Sequence, residues 1–128
     1  MIRFDKSPID TIKKLQDFTQ TRASYIAQTS LYGYLKTRMG TNYRTLFEDD
    51  VFSSSIRLSA AKIFTVALSD LCLFSGATIV EYLSKNQKNL DIHVKIEDSA
   101  YSICLYCFYQ GFEKGLQDFD DLKPLNQV

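Results

Sequence analysis

The sequence contains few of the residues that interrupt regular structure or build common catalytic centres. It has 128 residues but only two prolines, Pro8 and Pro124, one near each end, and five glycines. Folds with many strands usually carry such turn-forming residues throughout the chain, so this scarcity disfavours them. There is one histidine, His93. Any catalysis by a histidine base would have to use it. We interpret His93 as a solvated surface imidazole, because nothing in the sequence places a nucleophile beside it.

Several function classes lack their usual signals. No P-loop, GxGxxG, HExxH or GxSxG motif is present. Net charge is zero, whereas nucleic-acid binding usually comes with a basic excess. The two halves differ, however: residues 1–64 hold ten Lys or Arg and six Asp or Glu, and residues 65–128 hold five and nine. This difference would favour attraction between the halves, or head-to-tail pairing of two copies.

The three cysteines predict a reducing location. Cys72, Cys104 and Cys107 are odd in number and lie among apolar residues, which is typical of reduced thiols in a cytoplasmic protein. Cys104 and Cys107 have the spacing of a redox or zinc pair, but they fall in the middle of a predicted helix. Zinc would need two further ligands. We interpret the cysteines as buried structural thiols, and expect no metal and no cofactor.

No membrane-targeting signal is evident. The N-terminal residues lack the apolar core of a signal peptide. The longest uncharged run, Ser99–Phe112, is too short to span a bilayer. We therefore expect no transmembrane segment.

Apolar periodicity predicts an all-α fold, a small bundle of three long helices plus one short helix. Residues 1–128 should form a single domain, with residues 1–7 and 120–128 as frayed termini. Ser7 and Pro8 begin the first helix, which runs to Met39 and stops at Gly40. A break near Thr29–Gly33 is the alternative. Its predicted core stripe is Ile12, Leu15, Thr19, Ala23, Ile26, Ser30 and Tyr34.

The rest of the chain predicts one short helix and two long ones. Thr41 can cap the short helix, which covers Tyr43, Leu46 and Phe47. Asp49 or Asp50 then caps a helix over Val51–Leu83, whose core face would be Phe52, Ile56, Ala60, Ile63, Ala67, Leu71, Phe74 and Thr78. Residues 84–89 form a polar loop. Ile92–Ile96 alternates like a strand, but an isolated strand has no pairing partner, so we expect a helix there, capped by Asp91 or Asp98. Its core face would be Tyr101, Leu105, Phe108, Phe112, Leu116 and Phe119.

Four apolar residues of the first helix are candidates for binding a partner. Phe18, Tyr25, Tyr32 and Met39 lie seven residues apart, roughly 140–200° around the helix from the predicted core stripe. A helix with two apolar sides must bury both. The stripe therefore predicts either a central position in the bundle or a docking face for a protein partner, which could be a second copy or another chain.

Two further groups of polar residues are candidate sites. Asp70 falls on the predicted core face of the second long helix, so it should form a buried polar hub with a cation such as Arg22 or Arg38. Substituting it with Ala should then cost several kcal/mol. Lys36, Arg38, Tyr43 and Arg44 mix basic and aromatic character near Tyr32 and Tyr34, which suits contact with an anion or nucleic acid. We do not favour that function, since the whole chain lacks a basic excess.

One part of the sequence resembles a group of small uncharacterised alphaproteobacterial proteins, some of which are labelled esterase. The resemblance covers about half of the chain and lies in the run TRASYIAQTSLYGYLKTRMG at 21–40, in Tyr43, in FEDDVF at 47–52 and in Ser69-Asp70-Leu71. It implies a cytoplasmic bacterial protein and transfers no catalytic residue. We predict a non-catalytic interaction module that forms a homodimer or joins a larger assembly. The alternatives are a small esterase-like hydrolase and an RNA- or ribosome-associated protein.

Overall fold

Three long helices make up most of the molecule. The computed structural model describes residues 8–42, 45, 47–85 and 87–119. Helix α1 spans Ile12–Met39, α2 spans Asp50–Ser84 and α3 spans Leu90–Leu116, with 3₁₀ turns at Gly40–Asn42 and Gln117–Phe119. These residues contain no strand, which confirms the predicted all-α fold and its three long helices.

The predicted short helix is not confirmed. In that segment the structure describes the 3₁₀ turn at Gly40–Asn42, the single residue Thr45 and a turn that begins at Phe47. Tyr43 and Leu46 lie outside the described residues. So do the two stretches predicted to fray, 1–7 and 120–128.

Side-chain caps set where the helices begin. The Thr11 hydroxyl accepts a hydrogen bond from the Lys14 backbone N–H at 3.1 Å, so α1 begins after Thr11 rather than at Pro8. Asp49 caps α2 as predicted, accepting from the backbone N–H groups of the two residues that follow Asp50. The cap of α3 is Asn89, not Asp91 or Asp98.

Helix α1 ends where glycine was predicted to end it. Gly40 has φ 60°, a backbone conformation that side chains other than glycine's rarely adopt, and its N–H donates to the Lys36 carbonyl. Between Thr11 and Gly40 the helix is unbroken, so the alternative of a break near Thr29–Gly33 is wrong.

Each helix packs against the other two, and their shared interior forms one apolar core. Its largest fully buried side chains are Phe64, Leu35, Leu68, Thr19 and Cys107. Small residues allow this close packing. At Gly115 of α3 there is no room for a side chain, because the Phe64 ring occupies the space that a Cβ would take.

The buried face of α1 lies about a quarter turn around the helix from the predicted one, at 100° per residue. The predicted core residues Ile12, Ile26 and Tyr34 are exposed. The residues that are buried are Gln16, Thr19, Gln20, Ala23, Ser24, Ala27, Leu31, Tyr32 and Leu35. Polar side chains therefore occupy much of the N-terminal part of the true core face, which is why the apolar pattern pointed to another side.

The faces of α2 and α3 were also predicted only in part. On α2, Ile56 and Ala60 are buried as expected, but Phe74 is exposed. The buried residues of this helix are Ser53, Ile56, Ala60, Phe64, Leu68, Cys72 and Gly76. On α3, Tyr101 is exposed and Ala100, Cys107, Gly111 and Gly115 are buried. Helix α2 carries apolar residues on every side, so its sequence pattern does not single out one face as the core face.

Candidate docking surface

The side of α2 opposite the core carries a stripe of solvent-exposed residues, which we call the outer ridge. It consists of Ser55, Ser59, Lys62, Val66, Asp70, Leu73 and Ala77, all of which are exposed. The spacing of three or four residues keeps them on one side of the helix. From end to end the ridge extends about 33 Å, at 1.5 Å per residue.

The ridge and its margins expose large apolar side chains. Val66 is 62% exposed and Leu73 63%, and beside the ridge Leu58 is 58% and Phe74 72% exposed. A helix that is apolar on all sides normally lies at the centre of a larger structure or in a membrane. The bundle of α1 and α3 covers one side of α2 only, so no element among the residues that the structure describes covers its outer side.

Two charged residues stand on this ridge, and they have opposite signs. Asp70 is the one charged residue in the sequence between Lys62 and Glu81. Within the described part of the chain, neither Lys62 nor Asp70 makes an ion pair or a side-chain hydrogen bond. The ridge thus presents one free cation and one free anion among residues that are apolar or small and uncharged.

Shallow apolar grooves run along both sides of the ridge at its centre. One, of about 580 Å³, lies towards α1 and is lined by Ile26, Lys62, Ile63, Val66, Ala67, Asp70 and Leu71. The other, of about 510 Å³, lies towards α3 and is lined by Ala61, Lys62, Thr65, Val66, Phe112 and Leu116. Lys62 and Val66 belong to both walls. A ridge between two grooves is the surface shape onto which another helix packs.

A third apolar groove continues this surface towards the start of α1. It has a volume of about 480 Å³, and its lining includes Phe18, Ile12 and Leu15 of α1 with Leu71 and Phe74 of α2. Leu71 also lines the groove beside Val66. The exposed apolar surface is therefore continuous from the middle of α2 to the N-terminal end of α1.

The four predicted partner-binding residues do not form one exposed stripe. Tyr32 is only 3% exposed, and its ring stacks on Phe47 with the ring centroids 6.3 Å apart. Met39 is half-buried against the core, Phe18 is half-buried in the third groove, and Tyr25 is exposed. Towards the C-terminal end of α1 the buried face rotates around the helix until it includes Tyr32. The stripe therefore lies partly in the core and partly on the surface. Partner binding through these residues stays a prediction.

The predicted buried hub of Asp70 and Arg22 is wrong. Asp70 is exposed on the outer ridge, because α2 turns a different face to the core from the one expected. Arg22 lies over the Phe18 ring, with its guanidinium carbon 5.1 Å from the ring centroid. Since Asp70 is already hydrated, replacing it with Ala should change the stability of a single subunit by only about 0.5 kcal/mol or less.

The predicted anion or nucleic-acid cluster is only partly described. Lys36 and Arg38 are exposed near the end of α1, and the Arg38 guanidinium carbon lies 5.7 Å from the Tyr34 ring centroid. Tyr43 and Arg44 lie outside the described residues. Tyr32, the remaining aromatic residue near this cluster, is buried and cannot stack on a base from its present position.

The three cysteines are free, and burial raises the pKa of each thiol. For Cys107 the pKa rises to about 11. The Cys104 thiol donates a hydrogen bond to the Cys72 carbonyl at 3.0 Å. No group of three or more His, Cys, Asp or Glu among the described residues could hold a metal ion. Thiols in this state are poor nucleophiles at neutral pH.

The lone histidine has no catalytic setting in the described residues. A ring nitrogen of His93 is hydrogen-bonded to the Gln87 carbonyl, and no hydroxyl or thiol of the described part of the chain is hydrogen-bonded to the ring. This contact joins the start of α3 to the preceding loop. A serine hydrolase needs a hydroxyl beside its base.

Sequence reasoning missed the outer ridge, although a signal was available. Helix α2 is long and apolar enough to cross a membrane by length and composition alone, and only 22% of its most apolar 18-residue window is buried. The length of uncharged runs does not reveal this stretch, because Asp70 interrupts it. Averaging hydropathy over a window, rather than requiring no charge, would have marked α2 as too apolar for a helix with one solvated side.

Comparison with known proteins adds no relative: no family model, no curated protein and no solved structure matches this chain.

Proposed function

We propose that this protein is a non-catalytic helical interaction module that docks a protein helix on the outer ridge of α2. The exposure of this ridge is the observation that carries the proposal. A surface that exposes large apolar side chains such as Val66 and Leu73, with apolar grooves on both sides, is typical of a docking site for a partner. The free thiols fit the reducing, cytoplasmic location expected from the sequence.

The docking site in this proposal differs from the one expected from sequence. The aromatic stripe of α1 is divided between core and surface, whereas the outer ridge is exposed along its whole length. Phe18 still contributes, because the groove that it lines adjoins the ridge through Leu71.

Two other functions were predicted, and neither has a comparable observation in its favour. An esterase would need a nucleophile near His93, whose ring is hydrogen-bonded to the Gln87 carbonyl. Binding to RNA would use Lys36 and Arg38, which are exposed but lie beside a buried Tyr32.

The proposal predicts that the chain is part of a larger complex in its native host. Size-exclusion chromatography of a host extract containing a tagged chain should show it eluting well above its own mass of 14.7 kDa. Substituting Leu73→Asp, which places a charge on the ridge, should release it as a folded free chain.

Tyr82→Asp is the matched control, since Tyr82 is an exposed apolar residue of the same helix outside the ridge. This variant should remain in the complex. Elution of the unmodified chain at its own mass in fresh extract would overturn the proposed function.

A further inference from the structure

We propose that the partner on the outer ridge is a second copy of this chain, with the two α2 helices antiparallel and related by a two-fold axis at Val66. This inference rests on the proposed function and identifies its partner. The positions of the seven ridge residues and the two unpaired charges among them support it.

The ridge is symmetric in spacing about Val66. Its members lie four, seven and eleven positions on either side of this residue, at 62 and 70, 59 and 73, and 55 and 77. Two antiparallel helices related by a two-fold axis at Val66 bring each residue level with the one at the mirrored position in the other copy. The whole ridge of one copy therefore meets the whole ridge of the other.

The charges agree with this arrangement and oppose the parallel one. Lys62 and Asp70 lie about 6 Å along the helix on either side of Val66, at 1.5 Å per residue. In the antiparallel dimer each Lys62 is level with Asp70 of the other copy, so two ion pairs form. Parallel helices in register would place like charges level with each other, which is unfavourable. Both charges are without a partner among the described residues of the single chain.

The sizes of the side chains are also complementary. The same axis places the small Ser59 level with Leu73 of the other copy, and Ser55 level with Ala77. Small residues let two helices approach closely, while Leu73 fills the space beside Ser59. At the centre, side chains flanking Val66 of one copy would enter the grooves flanking Val66 of the other.

A second copy suits this surface better than a lipid bilayer does. Inserting the ridge into hydrocarbon would bury Lys62 and Asp70 without partners, which is costly for charged side chains. Pairing with another copy satisfies both charges and covers the apolar residues between them.

Charge reversal tests the pairing. Analytical ultracentrifugation of the purified chain at about 100 μM should show a dimer. A dimer with a dissociation constant in the micromolar range is the main species at this concentration. Lys62→Asp and Asp70→Lys should each raise the dimer dissociation constant about tenfold or more, because each creates two like-charge contacts. The double variant restores both opposite pairs, so its dissociation constant should return to within about threefold of the original value. Lys95→Asp and Glu97→Lys, exposed charges at the start of α3, should leave it unchanged.

Cross-linking tests the direction of the helices. A mixture of chains carrying Ser59→Cys or Leu73→Cys should form a mixed disulfide dimer on mild oxidation, with the unmodified protein as the control for its own thiols. Each variant alone should cross-link poorly, since the two equivalent positions lie about 21 Å apart along the antiparallel helices.

Three results would overturn the antiparallel dimer on the outer ridge. One is a monomer at that concentration. The second is a dimer unaffected by the single charge reversals, and the third is preferential cross-linking of each cysteine variant with itself. A monomer that binds phosphatidylglycerol vesicles, and loses binding with Leu73→Asp, would identify the bilayer instead. A purified monomer that nevertheless elutes in a Leu73-dependent complex from host extract would reject self-association while retaining the proposed function.

Discussion

Replacing Gly115 with Ala should destabilise this protein, although Ala normally favours a helix over Gly. A Cβ on Gly115 would lie 2.1 Å from Cζ of Phe64 and 2.8 Å from each Cε. Carbon atoms in contact are usually about 3.5–4.0 Å apart, so the Phe64 ring would have to move by more than about 1 Å. The ring has no exposed surface and packs against Phe119 with the centroids 5.5 Å apart, so it has little room to move.

The magnitude follows from two opposing effects. Overpacking a filled core costs about 1–3 kcal/mol. The gain from replacing Gly in a helix is at most about 1 kcal/mol, and less near a helix end. The free energy of unfolding of Gly115→Ala should therefore fall by about 1–2 kcal/mol, which lowers the melting temperature by roughly 3–8 °C for a chain of this length.

Gly33→Ala is the matched control in α1. No described atom lies within 4 Å of the Cβ that it would add, so this variant should gain about 0.5–1 kcal/mol from helix propensity alone. Urea unfolding followed by circular dichroism measures both variants. The chain concentration should be held constant because self-association would shift the midpoint.

A double-mutant cycle shows whether the Phe64 ring is the cause. Phe64→Leu shortens the side chain that meets the new Cβ, so the double variant should be more stable, by about 1 kcal/mol, than the sum of the single effects predicts. Close packing of Gly115 against Phe64 is refuted if Gly115→Ala is as stable as the unmodified protein while Gly33→Ala behaves as expected.

Three further predictions concern a helix cap, a buried thiol and the lone histidine. Asp49→Ala should lower the free energy of unfolding by about 0.5–2 kcal/mol, since two backbone N–H groups lose their acceptor, whereas Glu48→Ala should have little effect in the same urea titration. Burial raises the Cys107 pKa from its ordinary value of 9.0 to about 11, so the unfolded chain loses this proton first. The contribution of the buried, protonated Cys107 thiol to the free energy of unfolding is complete below pH 9 and is lost as the pH rises to about 11. The free energy of unfolding should therefore fall less steeply over this range in Cys107→Ala. Hydrolysis of p-nitrophenyl acetate should be equally slow with and without His93→Ala; a loss of rate in that variant would revive the esterase hypothesis.

The candidate docking surface shows how far a sequence pattern can lead. The sequence correctly indicated that this small protein carries more apolar helix surface than one bundle needs. It assigned the excess to Tyr25 and Tyr32 of α1, because polar residues such as Gln16 and Gln20 hid the true core face of that helix. Once the core face is known, Tyr32 belongs to the interior, Tyr25 stays on the surface, and α2 also exposes apolar side chains such as Val66 and Leu73.

The sequence by itself determined the parts of this fold that depend on neighbouring residues. The Gly40 stop and the N-terminal cap of α2, predicted at Asp49 or Asp50, follow from local hydrogen bonding and backbone conformation, and both were predicted correctly. The caps of α1 and α3, Thr11 and Asn89, were not. The tertiary structure alone decided which sides of the helices are buried. Helix α2 is apolar all around, so its own sequence gives each side a similar tendency to be buried. Only the positions of α1 and α3, packed closely where residues such as Ala27 and Gly115 leave room, place Phe64 inside and leave Val66 and Asp70 in water.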